Sequence, residues 1–388
     1  MDLRLALLLL LALSSSAWPI RTARAQVGAD ATVRPLSAIL VGRESQAGAT
    51  PLALHPSGDL VFAATGVLRT DPSGATRWHH DDAAIVDVGV SSDGSIFGMA
   101  RLPVERPTRV VITRFDEATG RILWKRALHT AALDRYTYPD LAGAPNGESV
   151  VCSTLRRGGV VIDRLDARGR VRWSRRLDAS AECMSVVTDA QGDVIWAGHT
   201  NGGANGIVER LDANGVSRWR TLFDGHPLTH ELTPTHDGGV LVGGMLNERS
   251  DLLPGPREHR VTTDAYQSFV TRLDTNGAGV WAWLGGNAPL RSVIARGAET
   301  IVIEQGDATR LDRDGSVIDA MRFGMPRIEG RLSQPFVSVT GAMLDRDGRV
   351  VLAFGLPEPD AIGYADYLLF TDQPYAGPRG SVLAWPSW

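Results

Sequence analysis

One phrase constrains this chain more than any other: an Asp, a Gly a few residues on, then a Trp, usually with an Arg two residues before the Asp. It reads RTDPSGATRW (69–78), RFDEATGRILW (114–124), RLDARGRVRW (164–173), RLDANGVSRW (210–219), RLDTNGAGVW (272–281) and RLDRDGSVID (310–319). A stretched seventh copy, LFTDQPYAGPRGSVLAW (369–385), closes the series. The aligned aspartates are Asp71, Asp116, Asp166, Asp212, Asp274, Asp312 and Asp372, spaced 38 to 62 residues apart. Repeats of this period mark architectures in which each unit buries its apolar face only against its neighbours.

A second phrase interleaves with the first. It is an apolar run, a Gly-centred turn and another apolar run, as in LALHPSGDLVFAA (52–64), VGVSSDGSIFGMA (88–100) and SVVTDAQGDVIWAG (185–198). Further copies are LTPTHDGGVLVGG (232–244) and GAMLDRDGRVVLAFG (341–355), with shorter forms around Asn146-Gly147 and Gly297-Ala298. Each unit therefore carries four short strands with turn residues between them, an all-β pattern. Four strands per unit, seven times over, predict a seven-bladed β-propeller of four-stranded antiparallel blades. Eight blades result if SAILVG (37–42) begins a degenerate one; as an extra strand it would instead help close the ring. The domain reading is residues 1–25 as a signal peptide, 26–50 as an N-terminal segment with that ring-closing strand, and 51–388 as the propeller.

The opening phrase now has a physical meaning. The Asp accepts hydrogen bonds from backbone N–H groups in a tight turn, and the Gly takes the positive φ the turn requires. Trp78, Trp124, Trp173, Trp219 and Trp281 then fall on the outermost strand, where each can pack on the neighbouring blade. The sixth copy has Asp319 in place of Trp. The arginines (Arg69, Arg114, Arg164, Arg210, Arg272, Arg310) can pair with a turn Asp or stack on a Trp.

The first residues read MDLRLALLLLLALSSSAWPIRTARAQ, with Arg4, an apolar run from Leu5 to Leu13, and Ala23-Arg24-Ala25 as a cleavage site. That is a secretory signal, too short to span a bilayer, which needs roughly 20 apolar residues. Localisation is expected to be periplasmic or extracellular, with no membrane span. Removing 1–25 takes Lys+Arg from 40 to 37 and Asp+Glu from 44 to 43, a net charge of −6. A mildly acidic chain with scattered basic residues offers no nucleic-acid footprint and no polybasic segment for anionic lipid.

RFDEATGRILW resembles the Asp-x-x-Thr-Gly-x-x-x-Trp docking motif of PQQ-like propellers. RLDANGVSRWR, with runs such as VVTDAQGDVIWAG, is similar to secreted bacterial β-propeller repeat proteins of the PQQ-like and WD40-like kind. The resemblance implies the fold and little of the chemistry. Quinone-dependent dehydrogenases of this kind carry an adjacent cysteine pair over the cofactor, and outer-membrane assembly lipoproteins carry a lipid-bearing Cys. Here the cysteines are Cys152 and Cys183, which match neither. Export permits a disulfide. Both cysteines fall toward one rim in neighbouring blades, so they can form one; two buried thiols are the alternative.

Strand order sorts the loops. Short Gly turns share one rim, and the longer loops share the other, where binding usually resides. The long-loop segments are 101–108, 128–140, 223–231, 246–266, 323–336 and 356–367. They carry His129, Arg135, Tyr136, Tyr138, Tyr266, Arg327, Tyr364 and Tyr367 as candidate contacts for a protein, peptide or glycan partner. His79, His80, Asp81, Asp82, His226 and His230 are metal-ligand types near that rim, without the spacing of a closed zinc site. Asp-x-Asp-Gly at 312–315 and 345–348 resembles the start of a calcium loop, with Asp312, Asp314 and Asp319 as ligands, although a plain hairpin turn accounts for it. No cofactor is expected, and no nucleophile constellation such as Gly-x-Ser-x-Gly occurs. The reading is an exported, monomeric, non-enzymatic binding or scaffold propeller that works through its long-loop rim. The alternative is an enzyme, a hydrolase or lyase or an atypical quinoprotein, with its site at the channel mouth.

Overall fold

The computed structural model describes residues 37–43, 52–63, 66–72, 75–82, 84–102, 109–128, 139–155, 159–177, 180–200, 205–254, 259–305, 307–322, 338–344, 346, 350–357 and 364–371. Among these, the strands form seven four-stranded antiparallel sheets. Six are sequential: 52–81, 85–127, 140–176, 181–223, 225–284 and 290–322. The seventh combines Ser338–Leu344, Val350–Pro357 and Tyr364–Thr371 with Ser37–Arg43 as its outermost strand. Each innermost strand packs against the next, from Leu52–Leu54 round to Ser338–Leu344 and back, so the ring is closed. The chain is a seven-bladed β-propeller.

SAILVG thus begins no eighth blade. Ser37 pairs with Thr371 and Leu40 with Leu368. This settles how the stretched seventh copy is used. The edge beside Tyr364–Thr371, where its SVLAW segment would have added a fourth strand, is occupied by the N-terminal strand. Joining both ends of the chain in one sheet removes the seam an open ring would leave. Asp372 lies outside the described residues.

The repeated phrase is a joint between blades. In the fourth copy Asp212 Oδ1 accepts from the Asn214 and Val216 amides at 2.8 and 2.9 Å, and Gly215 takes φ +80°. Asp166, Asp274 and Asp312 cap their turns with the same pair of bonds. The glycine has a second duty. The position of a Cβ on Gly215 would lie 3.1 Å from the Trp173 ring of the preceding blade. Gly120, Gly169, Gly277 and Gly315 meet Trp78, Trp124, Trp219 and Trp281 in the same way. Each of these indoles also donates Nε1–H to a carbonyl in the next blade's turn: Glu117, Ala167, Ala213, Thr275 and Arg313, at 2.7–3.1 Å.

The arginine stands directly opposite the Trp of its own copy, as in Arg164↔Trp173 and Arg210↔Trp219. It pairs with an acid beside the blade's first turn rather than with the Asp two residues on, whose carboxylate is committed to capping. Arg69 bonds Asp59, Arg164 bonds Glu148, and Arg210 bonds Asp193 and Asp189. Nη1 of Arg69, Arg114, Arg164 and Arg272 reaches the same carbonyl as the Trp of its copy. In the sixth copy Arg310 faces Asp319 instead, so no indole is available there.

Two further features stabilise or enlarge the ring. Cys152, on Glu148–Thr154 of the third blade, is disulfide-bonded to Cys183, on Ala181–Thr188 of the fourth. In the fifth blade Val240–Asp251 and Arg260–Leu273 are 12 and 14 residues long, where the fourth blade's matching strands have 7 and 6. Residues 246–266, expected as a rim loop, are therefore largely a β-ribbon. Its tip is packed down: Leu252 is fully buried against Leu246 and Phe269, and Pro254 O accepts from the Gly279 amide at 3.1 Å.

Gly215→Ala is expected to cost about 1–2 kcal/mol through its left-handed backbone alone, and more from contact with Trp173. Trp173→Phe keeps the ring but loses its hydrogen bond, for about 1 kcal/mol. Replacing both cysteines by serine should remove about 3–4 kcal/mol, given a closed loop of sequence separation 31. Urea unfolding of the three variants against the parent checks all of these values.

Candidate functional site at the central channel

The innermost strands line the channel, and each has a sheet partner on one side only. Their other edges must find hydrogen bonds elsewhere. Side chains of the adjacent blade supply several. Thr188 Oγ1 donates to Gly143 O at 2.6 Å, Thr233 Oγ1 to Val293 O at 2.5 Å, and Ser292 Oγ to Ala342 O at 3.0 Å.

Five of these strands shift register at an equivalent place: Ile85/Asp87, Cys183/Ser185, Thr229/Glu231, Leu290/Ser292 and Val339/Gly341. Each shift inserts one residue, respectively Val86, Met184, His230, Arg291 and Thr340. Bulges of this kind re-aim side chains and recur beside functional sites. The residue after the bulge lies in one layer around the channel, giving Asp87, Ser185, Glu231 and Ser292 from successive bulged blades. The third blade contributes Asp140 at the start of Asp140–Ala144. The layer lies toward the N-terminal ends of the innermost strands, on the long-loop side.

Two of its acids tie blades together. Asp87 accepts from its neighbour Val88 N at 2.7 Å and from Leu141 N of the third blade at 2.9 Å. Asp140 accepts from Val186 N of the fourth blade at 2.5 Å. Burial, and then the charge of Asp140, holds the Asp87 carboxyl well above the usual range, and the two side chains hydrogen-bond to each other. Burial likewise pushes Asp140 up to about 6, against the Val186 amide and the Asp87 proton that favour its charge. Where the pair holds one proton, Asp87 carries it and donates to the Asp140 carboxylate.

Glu231 is pushed up to about 8 by burial and then by Asp140, with Arg291 opposing. Its side chain keeps 32% exposure, so it faces the channel while enclosed by protein. His230 is held down at about 4 by burial and then by Arg291. The mouth therefore presents a neutral carboxylic acid and a neutral imidazole at pH 7, both able to exchange hydrogen bonds with a solute. Displaced titrations of this sort mark functional-site candidates as well as structural networks.

The residues singled out from the sequence are placed as follows. His79 and His80 are successive residues of the outer strand Thr76–Asp81 and so point to opposite faces. His80 lies on the Phe115 ring at 5.0 Å, and Asp82 pairs with Lys125 at 3.2 Å. Asp81 is exposed at the end of the same strand. His230 belongs to the channel layer, and the side chain of His226 lies outside the described residues. So do His129, Arg135, Tyr136, Tyr138, Arg327 and the side chains of Tyr364 and Tyr367. Tyr266 is half-buried on the fifth blade's ribbon. Asp312 is a turn cap, Asp314 sits beside Arg313, and Asp319 accepts from the Ala320 amide. Among the described residues no three His, Cys, Asp or Glu are grouped to hold a metal ion. Nor is any helix among them long and apolar enough to cross a membrane.

Asp87, Asp140 and Glu231 escaped the sequence reading. The available signal was position: each is an acid seven residues before a turn glycine, in an innermost strand that is otherwise apolar or small.

Ring, joints and channel define the class: a β-propeller of the PQQ-like and WD40-like kind. The profile of the family described as outer membrane protein assembly factor BamB matches residues 107–244, the stretch holding Trp124, Trp173 and Trp219. Curated protein sequences give no match. Among solved structures, a catalytically inactive virginiamycin B lyase from Staphylococcus aureus with quinupristin is 13% identical, with TM-score 0.54, covering 86% of this chain and 99% of its own. The Pan2 WD40 domain from Neurospora crassa is 13% identical, with TM-score 0.52, covering 89% and 97%. BamB from Moraxella catarrhalis is 15% identical, with TM-score 0.48, covering 87% and 100%. At these identities the likeness is one of fold.

The channel acids set a pH dependence. A carboxyl whose folded pKa is raised binds more protons folded than unfolded, so stability falls as pH rises toward the folded value. For Glu231 the contribution is fully present below its ordinary value near 4.5 and is lost by about 8. His230 acts oppositely between about 4 and 6.5, where the unfolded chain binds more protons. Glu231 is therefore best isolated between pH 6.5 and 8. Glu231→Gln should gain stability relative to the parent across that window, measured by urea unfolding at both ends.

Proposed function

We propose that this protein is an exported, non-enzymatic binding or scaffold propeller that holds a protein, peptide or glycan partner on its long-loop rim, around the channel mouth. The observation carrying this reading is the employment of Asp87 and Asp140. Both carboxyls are occupied in tying one innermost strand to the next, which is framework work and leaves neither free to serve a substrate. A rigid ring closed by its own N-terminal strand is suited to presenting loops of unequal length in fixed positions. Tyr136, Tyr138 and Tyr266, read from the sequence as rim contacts, would give such a partner aromatic anchors. The signal-like N-terminus supports a site of action outside the cytoplasm.

The enzymatic alternative rests on one pair, the neutral Glu231 acid beside the neutral His230. The two readings separate on variants. Peptide and glycan libraries are screened against the immobilised parent, and the best binder is titrated against Tyr136→Ser/Tyr138→Ser and against Glu231→Gln. Binding should weaken at least tenfold in the first variant and stay within about twofold in the second. Stoichiometric metal or quinone in the purified protein, or a turnover abolished by Glu231→Gln, would overturn the proposal in favour of catalysis.

A further inference from the structure

Part of the basic content of this net-acidic chain is gathered on neighbouring outer strands. The outer strands of the second, third and fourth blades, with the turns leading into them, read GRILWKRA (120–127), RGRVRWSRR (168–176) and SRWRTLF (217–223). They hold three, five and two cationic residues and no acid, and all ten are exposed. The corresponding segments of the fifth and sixth blades, GAGVWAWL (277–284) and GSVIDAMR (315–322), hold none and one, the latter offset by Asp319. One arc of the circumference is therefore strongly positive while the rest is not.

Neighbouring acids offset only part of this arc: Asp82 pairs with Lys125 at 3.2 Å and Asp166 with Arg170 at 2.8 Å. The Glu148 carboxylate is divided between buried Arg164 at 2.6 Å and exposed Arg172 at 2.8 Å. Asp193 is divided in the same way between Arg210 and Arg218. In each case one negative charge meets two guanidinium groups. Exposed apolar side chains accompany the cations: Leu123, Val171, Val216 and Leu222 are 41–55% exposed.

The densest part of the arc is also an open sheet edge. Val171–Arg176 pairs with Val160–Leu165 on one side only, so its outer backbone groups face away from the sheet. Charge on an edge strand can simply keep copies from pairing. The fifth blade's edge, Gly279–Leu284, carries no charge at all and has its Gly279 amide bonded to Pro254 O of the ribbon, so protection by charge is not applied all round the ring. Curvature argues against a membrane as the partner. Seven blades place successive edges about 51° apart, and a flat bilayer would touch one edge at a time. A free strand edge flanked by arginines suits a chain that has both carboxylates and backbone amides to offer.

We propose that the third blade's edge, Val171–Arg176, takes an extended acidic polypeptide as a fifth strand, with cations of the second and fourth blades holding its ends. This surface is separate from the long-loop rim and does not depend on what the rim binds. The probe is a fluorescent ten-residue peptide of alternating Glu and Val, titrated by anisotropy against the full chain. Three comparisons test the idea. Arg168→Glu/Arg176→Glu should weaken binding at least tenfold, whereas Arg249→Glu/Arg313→Glu, away from the arc, should not change it. The same peptide methylated on alternate backbone nitrogens keeps its charge and should also lose at least tenfold. A polyuronate of matched charge should bind more weakly than the peptide. Equal binding of the methylated peptide or the polyuronate, or indifference to charge reversal on the arc, would overturn the proposal; the methylated-peptide comparison uses the parent protein and stands whether or not a variant folds.

Discussion

The ring depends on a carbonyl group. In four of the joints, an indole N–H and an arginine side chain from one blade converge on a single backbone carbonyl in the next blade's turn. That oxygen points outward only because the Asp and Gly hold the turn in one shape. Removing the Asp frees the turn, a side chain on the Gly displaces the Trp, and removing the Trp uncovers the carbonyl. The joint therefore couples blade to blade through local geometry, which is why a loosely conforming sequence can still specify a regular ring.

With the circumference fixed in this way, the channel can be irregular. The innermost strands have no sheet partner toward the axis, where adjacent blades come closest together. Bulges and side chains fill the gap that strand pairing leaves. Asp87 and Asp140 bridge from blade to blade at the expense of ordinary acidity, and Glu231 stays protonated at neutral pH for the same reason. The displaced titrations follow from how a propeller closes at its centre. The mouth they leave is hydrogen-bonding and uncharged at Glu231 and His230, in contrast to the positive arc on the circumference of blades two to four.

The sequence displayed the joints because they repeat. Asp, Gly and Trp recur at fixed separations, and each recurrence strengthens the others as a signal. Blade number and the hairpin role of the phrase were legible for that reason. The arginine's partner was not, because Asp59, Glu148 and Asp193 sit in a different turn, 10 to 17 residues earlier. The channel acids were hidden by their company, single polar residues within innermost strands. The positive arc was hidden by averaging: a small net negative charge says nothing about which strand edges the arginines share. The fifth blade's ribbon was read as loop because its charged and proline-containing tip masks the alternation on either side.

If the shared-carbonyl joint governs the ring, its stability should vary around the circumference. The seam between the sixth and seventh blades has Asp319 in place of Trp, and Ser37–Arg43, at the seam between the seventh and first, has no Trp either, whereas the seam between the third and fourth has a complete joint and the Cys152–Cys183 bond. Native-state hydrogen exchange resolved by blade measures this directly. The account predicts the lowest opening free energy for amides on either side of the seventh blade and the highest for those between the third and fourth. Uniform protection around the ring, or first opening between the third and fourth blades, would contradict it.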